Sequence, residues 1–244
     1  MKTMFRSHRG GSFYTPESTM PAFRDAIEQG FEYIEVDPRY TLDGKIILLH
    51  DGTINRTCRN ADGSEIKEDI LPEEHTYEEL LQYDAGIAFG EEFKGTKLPL
   101  LDDLLKLAEG KDVRISLDKK IATEDMEPLM DLVAKYNAKV SWFAADIERI
   151  EKIQSRFPDA YIEYEGPATE EMLEKVTSMV KQENLLVWLY LDKPNFSWLE
   201  PIRKTSPENC ARVRRYAKTF GIANINNPYD VREALMYEPD VIEV

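Results

Sequence analysis

Short apolar runs of strand length recur through the whole chain, and stretches of helical periodicity separate most of them. The runs are MFRS (4–7), FEYIEV (31–36), KIILL (45–49), VRISL (113–117), KVSWFA (139–144), AYIEY (160–164), LLVWLYL (185–191), GIANIN (221–226) and DVIEV (240–244). Between them lie a helix starting at Ser18 or Thr19 with Phe23, Ala26 and Ile27 on one face and a stop at Gly30, then LPLLDDLLKLAEG, TEDMEPLMDLVAKY, DIERIEKIQSRF, TEEMLEKVTSMVKQ and SPENCARVRRYAKTFG. Continuous apolar strands alternating with amphipathic helices imply a parallel sheet buried on both faces. A TIM-type (β/α)8 barrel needs about 250 residues, and the chain has 244. One catalytic domain spanning 1–244 is therefore expected. Nine candidate strands compete for eight places, and 185–191 is expected to be the extra or displaced one.

Two connections break the alternation. Nine residues, DPRYTLDGK, join the strand ending at 36 to the one starting at 46, too few for a helix, with a turn at Asp43-Gly44. An extended return across the barrel height is expected there. Residues 52–98, after the third strand, are polar, with little pattern beyond YEELLQY, and a segment that long in a compact barrel reads as a functional loop or a small inserted subdomain.

The net charge of -15 argues against nucleic-acid partners, which recruit Lys and Arg to replace counterions, and against an anionic membrane surface. No stretch approaches the ~20 apolar residues of a bilayer span, so no stable membrane insertion is expected. The N-terminal MKTMFRSHRGG lacks the apolar run and cleavage site of a secretion signal, and cytoplasmic residence is expected. Cys58 and Cys210 match no metal or redox spacing and read as inert thiols. An anionic substrate on so acidic a chain requires a local reversal of the field, for which a divalent cation is the natural source.

Ionisable residues mark the ends of successive strands: His8-Arg9, Glu35 and Asp37, His50-Asp51, and Asp118 with Lys120. Barrel active sites sit at strand C-termini, whereas a packed core has no use for such groups there. His8 and His50, expected on the first and third strands and hence in one barrel layer, read as a proton-transfer pair. His75, in PEEHT, reads as a solvated loop residue. Glu35 and Asp37 flank Val36, so on a strand both carboxylates point one way. They would repel unless a cation lay between them: a hard ion such as Mg²⁺ or Ca²⁺, with Mn²⁺ an alternative, or a salt bridge with Arg9, Lys119 or Lys120. Arg9 and Lys120 beside such a metal would suit a phosphate. Gly10 and Gly11 allow a tight turn or close backbone approach.

Over residues 4–120 the motifs S-H-R-G-G, P-E-S-T followed by A-F-R-D-A-I-E-Q-G, I-E-V-D-P-R-Y-T-L-D-G, H-D-G-T-I-N-R-T, E-E-L-L-Q-Y-D-A-G with F-x3-F-x-G, and L-P-L-L-D-D-L-L follow one another in an order and spacing that resembles the glycerophosphodiester phosphodiesterases. The resemblance implies a barrel with a small insertion, His8 and His50 as acid and base, and one divalent metal held by Glu35, Asp37 and Asp118. Asp118-Lys119-Lys120 stands where that family has Glu-x-Lys. Glu17 is similar to a buried glutamate beside the family's site, and Ser18 replaces the usual Asn. Asp51 is expected to support His50. The second half departs: Ala223-Asn224-Ile225-Asn226 lacks the family's Trp, and the chain ends Ile242-Glu243-Val244 rather than Ile-Thr-Asp. The implied activity is metal-dependent hydrolysis of small glycerophosphodiesters to glycerol 3-phosphate and an alcohol, by attack of water or of a neighbouring hydroxyl. Two readings compete: a lysophospholipase D-like or cyclising lipid phosphodiesterase, with Phe13, Tyr14, Phe196 and Trp198 as an apolar rim, and a noncatalytic barrel that binds a phosphorylated ligand. A sugar-phosphate isomerase is weaker, since it needs no paired carboxylates and its late Gly-rich phosphate loops are missing.

Overall fold

The computed structural model describes every residue except Met1, Lys2, Asn195, Phe196, Trp198 and Asn226. In chain order the elements begin β1 (Met4–Ser7), α1 (Met20–Glu28), β2 (Tyr33–Val36), β3 (Pro38–Tyr40), β4 (Ile46–Leu48), α2 (Tyr77–Leu80), α3 (Leu101–Ala108) and β5 (Arg114–Leu117). They continue α4 (Glu127–Val133), β6 (Lys139–Ala144), α5 (Ile147–Arg156), β7 (Tyr161–Tyr164), α6 (Glu170–Met179), β8 (Leu185–Tyr190), α7 (Pro207–Tyr216), β9 (Thr219–Ala223), α8 (Pro228–Leu235) and β10 (Val241–Glu243). Hydrogen-bonded neighbours run β1-β10-β9-β8-β7-β6-β5-β2 and close, giving the eight-stranded parallel barrel that the alternation predicts.

The ninth candidate resolves differently from expectation. LLVWLYL is a full barrel strand, buried along its whole length. KIILL instead supplies β4, which pairs antiparallel with β3 (Pro38 opposite Leu48, Tyr40 opposite Ile46) in a separate two-stranded sheet. The nine residues after β2 are therefore no extended return. They form one arm and the turn of a hairpin, closed by Thr41 and Lys45, with Gly44 at φ 72. Hairpin and polar segment together follow the second barrel strand.

By their contacts the residues form two compact units, 7–139 and 1–6 with 140–244. In the first, β2 and β5 run parallel with Glu35 beside Ser116. The Thr19 hydroxyl accepts the Ala22 N–H to start α1, a cap worth about 1 kcal/mol. The polar segment 52–98 has a core of its own: Ile54, Cys58, Ile70, Leu80, Ala85 and Leu98 pack with Ile47 and Leu49. Burial there pushes the Cys58 thiol up to about 12, consistent with an inert thiol. Asp84, in the D-A-G motif, accepts backbone N–H groups from Gly86, Ile87 and Gly95 at 2.9, 2.9 and 2.6 Å. Burial alone would raise its pKa, but these donors hold it below the ordinary value, so the carboxylate works as a fixed loop anchor. His75 is half-buried with Nδ1 3.0 Å from the Leu71 carbonyl oxygen, not freely solvated.

In the second unit, Asp146, Thr169 and Ser206, the first residues of three of the helical stretches, accept from the N–H groups of Arg149, Met172 and Asn209. Helix α8 escaped the periodicity, although Asn227-Pro228 is a cap followed by proline at the first helical position. The strands also carry an unanticipated buried polar layer. Arg6 meets Glu163 at 2.6 Å and ion-pairs with Glu243, while its guanidinium lies 3.7 Å over the Trp188 ring. Trp188 and Ser141 both donate to Glu163. Gly221 makes room for the indole, since a Cβ there would come 2.4 Å from Trp188 Cζ3.

Candidate active site

β1 ends at Ser7 and the chain enters a tight 3₁₀ turn over His8–Gly10. Arg9 takes a left-handed φ of 56, an uncommon conformation for a residue with a side chain. That turn aims the Arg9 backbone N–H at Glu35 Oε2 (3.0 Å) and brings His8 Nε2 to 3.8 Å from the same oxygen. Gly10 completes it at φ 78, where a Cβ would strike Phe23 Cδ1 at 2.7 Å.

Glu35 and Asp37, at and just beyond the end of β2, and Asp118, just beyond β5, offer carboxylate oxygens that all lie within 4.8 Å of one another. Asp118 is held there by its N–H bond to the Val36 carbonyl. Glu35 and Asp37 are buried. Lys120 Nζ stands 3.3 Å from Asp37 Oδ1 and Arg9 Nε 3.9 Å from Oδ2, so the salt bridges offered as the alternative to a metal are present. They do not balance the site. Burial, then the charge of Asp118, pushes the Asp37 pKa up despite Lys120, His50 and Arg9. Asp37 Oδ2 is also buried without a hydrogen-bond partner. Oxygens sharing one Mg²⁺ or Ca²⁺, at ~2.1–2.5 Å each, sit within about 5 Å of one another. The donor set therefore fits a hard divalent cation, with Asp118 reaching the cluster despite being one methylene shorter than Glu.

His50 and Asp51 lie just beyond β4, the second arm of the hairpin, and not on a third barrel strand. The shared barrel layer expected for the two histidines is thus not what brings His50 to the site. The hairpin does so: Arg39 on β3 donates from Nε to the Leu49 carbonyl (3.0 Å) and from Nη2 to the His50 carbonyl (2.9 Å). His50 Nδ1 is 2.7 Å from Asp51 Oδ1. Both imidazoles are about one-third exposed, His8 33% and His50 34%, and so within reach of a solute.

Glu17 binds Arg9 Nη1 at 2.9 Å and receives two further bonds from Arg56. Its burial would raise the pKa, but the hydrogen bond from Arg56 and the charge of Arg9 outweigh that and lower it. The Arg56 guanidinium holds Asp51 far below the usual carboxylate range. Ser18 adopts φ 53, a conformation that Asn tolerates better than most residues, which accounts for the family's usual Asn there. Arg39 and Arg56 were missed by sequence reasoning, although both stand inside quoted motifs, V-D-P-R-Y and H-D-G-T-I-N-R-T. Phe13 and Tyr14 are exposed and pack edge to face at 4.7 Å. Phe196, Trp198 and Asn226 lie outside the described residues.

Known proteins resemble this chain in sequence and in fold. The model of the glycerophosphoryl diester phosphodiesterase family matches residues 8–160, well over half of the chain. A glycerophosphodiester phosphodiesterase of Caldanaerobacter subterraneus subsp. tengcongensis is 38% identical over 120 residues, 49% of this chain and 46% of that one. The chain thus spans about half the length of that relative. Among solved structures, a glycerophosphoryl diester phosphodiesterase of Parabacteroides distasonis superposes with TM-score 0.77 at 20% identity, covering 99% of this chain and 82% of that one. An Oleispira antarctica phosphodiesterase in complex with the product sn-glycerol-3-phosphate has TM-score 0.77 at 17% identity, with 98% and 92% covered. These structures speak for the fold, and the family match for descent. The chain belongs to the glycerophosphoryl diester phosphodiesterase family.

Proposed function

We propose that the chain is a divalent-metal-dependent phosphodiesterase that cleaves glycerophosphodiesters to glycerol 3-phosphate and an alcohol, with His8 and His50 as its proton-transfer pair. The observation that carries this is the gathering of three carboxylates with Arg9 and Lys120, next to two reachable imidazoles. Family membership supports the same reaction. Glu35, Asp37 and Asp118 would hold the cation, Mg²⁺ or Ca²⁺ by the hardness of the donors, with Mn²⁺ also suited. When bound, it supplies Lewis-acid stabilisation of the phosphoryl oxygens. Arg9 and Lys120 bind other phosphoryl oxygens and share their charge. One histidine takes the proton of the nucleophile, water or a neighbouring hydroxyl, and the other protonates the leaving alkoxide. Asp51 orients His50 and steadies its charged form, and Glu17 orients Arg9. We take 1–244 as one catalytic domain with 52–98 as a small inserted subdomain, a reading supported by the apolar cluster that this segment forms with Ile47 and Leu49.

The test is a screen of glycerophosphocholine, glycerophosphoethanolamine, glycerophosphoinositol and glycerophosphoglycerol with each cation in turn, using parent, His8→Ala and His50→Ala proteins. Each substitution is expected to lower the rate by about 10²-fold or more. Parent-like turnover by either variant, or activity undiminished in excess chelator, overturns the assignment.

A second reading, action on a lysophospholipid or cyclisation of a lipid phosphodiester, is favoured by the exposed Phe13–Tyr14 pair. It predicts co-sedimentation with neutral liposomes that Phe13→Ser/Tyr14→Ser abolishes. Small-substrate hydrolysis with no sedimentation rejects it. Among the described residues no helix is long and apolar enough to cross a membrane.

A further inference from the structure

The guanidinium of Arg56 uses both of its edges. Nε and Nη2 grip Asp51, at 2.5 Å to Oδ2 and 3.2 Å to Oδ1. Nη1 and Nη2 grip Glu17, at 2.9 Å to Oε2 and 2.7 Å to Oε1. The same two carboxylates lead onward, because Asp51 Oδ1 is 2.7 Å from His50 Nδ1 and Glu17 Oε1 accepts from Arg9 Nη1 at 2.9 Å. A single planar group, itself 39 residues from Glu17 in sequence, thus ties the His50 imidazole to the Arg9 guanidinium.

We propose that Arg56 is a positioning residue that fixes the tautomer of His50 and the spacing of His50 from Arg9. The inference rests on the reading of His50 as a proton-transfer group and adds what sets its working nitrogen. Asp51, gripped by two N–H donors, is ionised and can only accept hydrogen bonds, so His50 Nδ1 must carry a proton. In the neutral ring the lone pair is then confined to Nε2, the atom left for chemistry. With Asp51 free to rotate, the Nδ1–H and Nε2–H forms would mix, and a ring presenting Nε2–H cannot accept a proton there. Lysine keeps the charge but cannot form two bidentate grips from one ammonium. Arg56→Lys should therefore resemble Arg56→Gln.

The chain has three histidines, so long-range ¹H–¹⁵N spectra of the imidazoles are sparse, and His50→Ala assigns the signal. The parent is expected to show neutral His50 as the Nδ1–H tautomer. Arg56→Lys and Arg56→Gln, checked as folded by circular dichroism, are expected to show mixed tautomers. Their kcat should fall about 10- to 100-fold, the usual cost of losing a group that orients a reacting residue, with a smaller change in KM. An unchanged Nδ1–H signal in both variants overturns the proposal, as does a parent-like kcat with altered tautomers. Parent-like activity of His50→Ala would instead refute the proton-transfer reading, while the spectra would still report whether Arg56 holds the ring.

Discussion

Replacing Gly10 by alanine tests whether the His8–Arg9 turn depends on backbone freedom and on close packing together. Gly10 sits at φ 78, and its added Cβ would lie 2.7 Å from Phe23 Cδ1 and 3.1 Å from Ala22 Cβ. Phe23 is fully buried, so its ring has no open space to swing into. A left-handed conformation costs an L-residue about 1–2 kcal/mol, and overpacking adds about 1–3 kcal/mol. The stiffer unfolded chain returns about 0.4–1 kcal/mol. The net loss is about 1–5 kcal/mol, which for a chain of this size lowers Tm by about 2–20 °C. Gly44→Ala is the internal control: its φ is 72, but no atom lies within 4 Å of the added carbon, so only the backbone cost applies. Scanning calorimetry of both variants should place Gly10→Ala lower by about 1–3 kcal/mol, the overpacking cost alone. Two variants melting within about 2 °C of each other would refute the packing argument.

Cation binding should be visible without turnover. A divalent ion at 100 times its Kd stabilises the fold by about 2.7 kcal/mol, or about 5–11 °C in Tm, and Asp37→Ala should remove that gain; an equal gain in the variant would relocate the site. Arg6→Leu leaves Glu163 and Glu243 buried without their guanidinium, and should cost about 3–5 kcal/mol, read by urea unfolding, with a loss under 1 kcal/mol counting against the buried-charge account. Asp51 and Glu17 have folded pKa values depressed below their unfolded ones, so their stabilisation is complete above about pH 5 and fades as pH falls through the lowered values. The Tm gap between parent and Arg56→Gln should therefore narrow from pH 6 to pH 3, and a gap that widens in acid would reverse the sign of that argument.

Residues near one another in sequence were the most legible. Helix starts could be read because Thr19, Asp146, Thr169 and Ser206 serve N–H groups three residues away, a contact that any helix start offers. Glu35 and Asp37 could be paired because alternation along an extended strand is local geometry. KIILL misled because four consecutive apolar residues suit a barrel strand and a buried hairpin arm equally well; the choice depends on a pairing partner. Glu163 and Glu243 alternate with apolar neighbours as solvent-facing residues do, and only the paired strands bury them with Arg6.

The sequence by itself determined the fold class, through strand-length apolar runs between capped amphipathic helices, and the residue types of the candidate site. Tertiary structure alone decided that β8 enters the barrel and β4 leaves it, that Arg39 delivers His50 from a hairpin, and that Arg56 links Asp51 to Glu17. The physical reason is range. Periodicity and capping act over a few residues and leave a mark in any short window, whereas a guanidinium bridging two carboxylates 34 positions apart in the chain exists only once the backbone has brought them together.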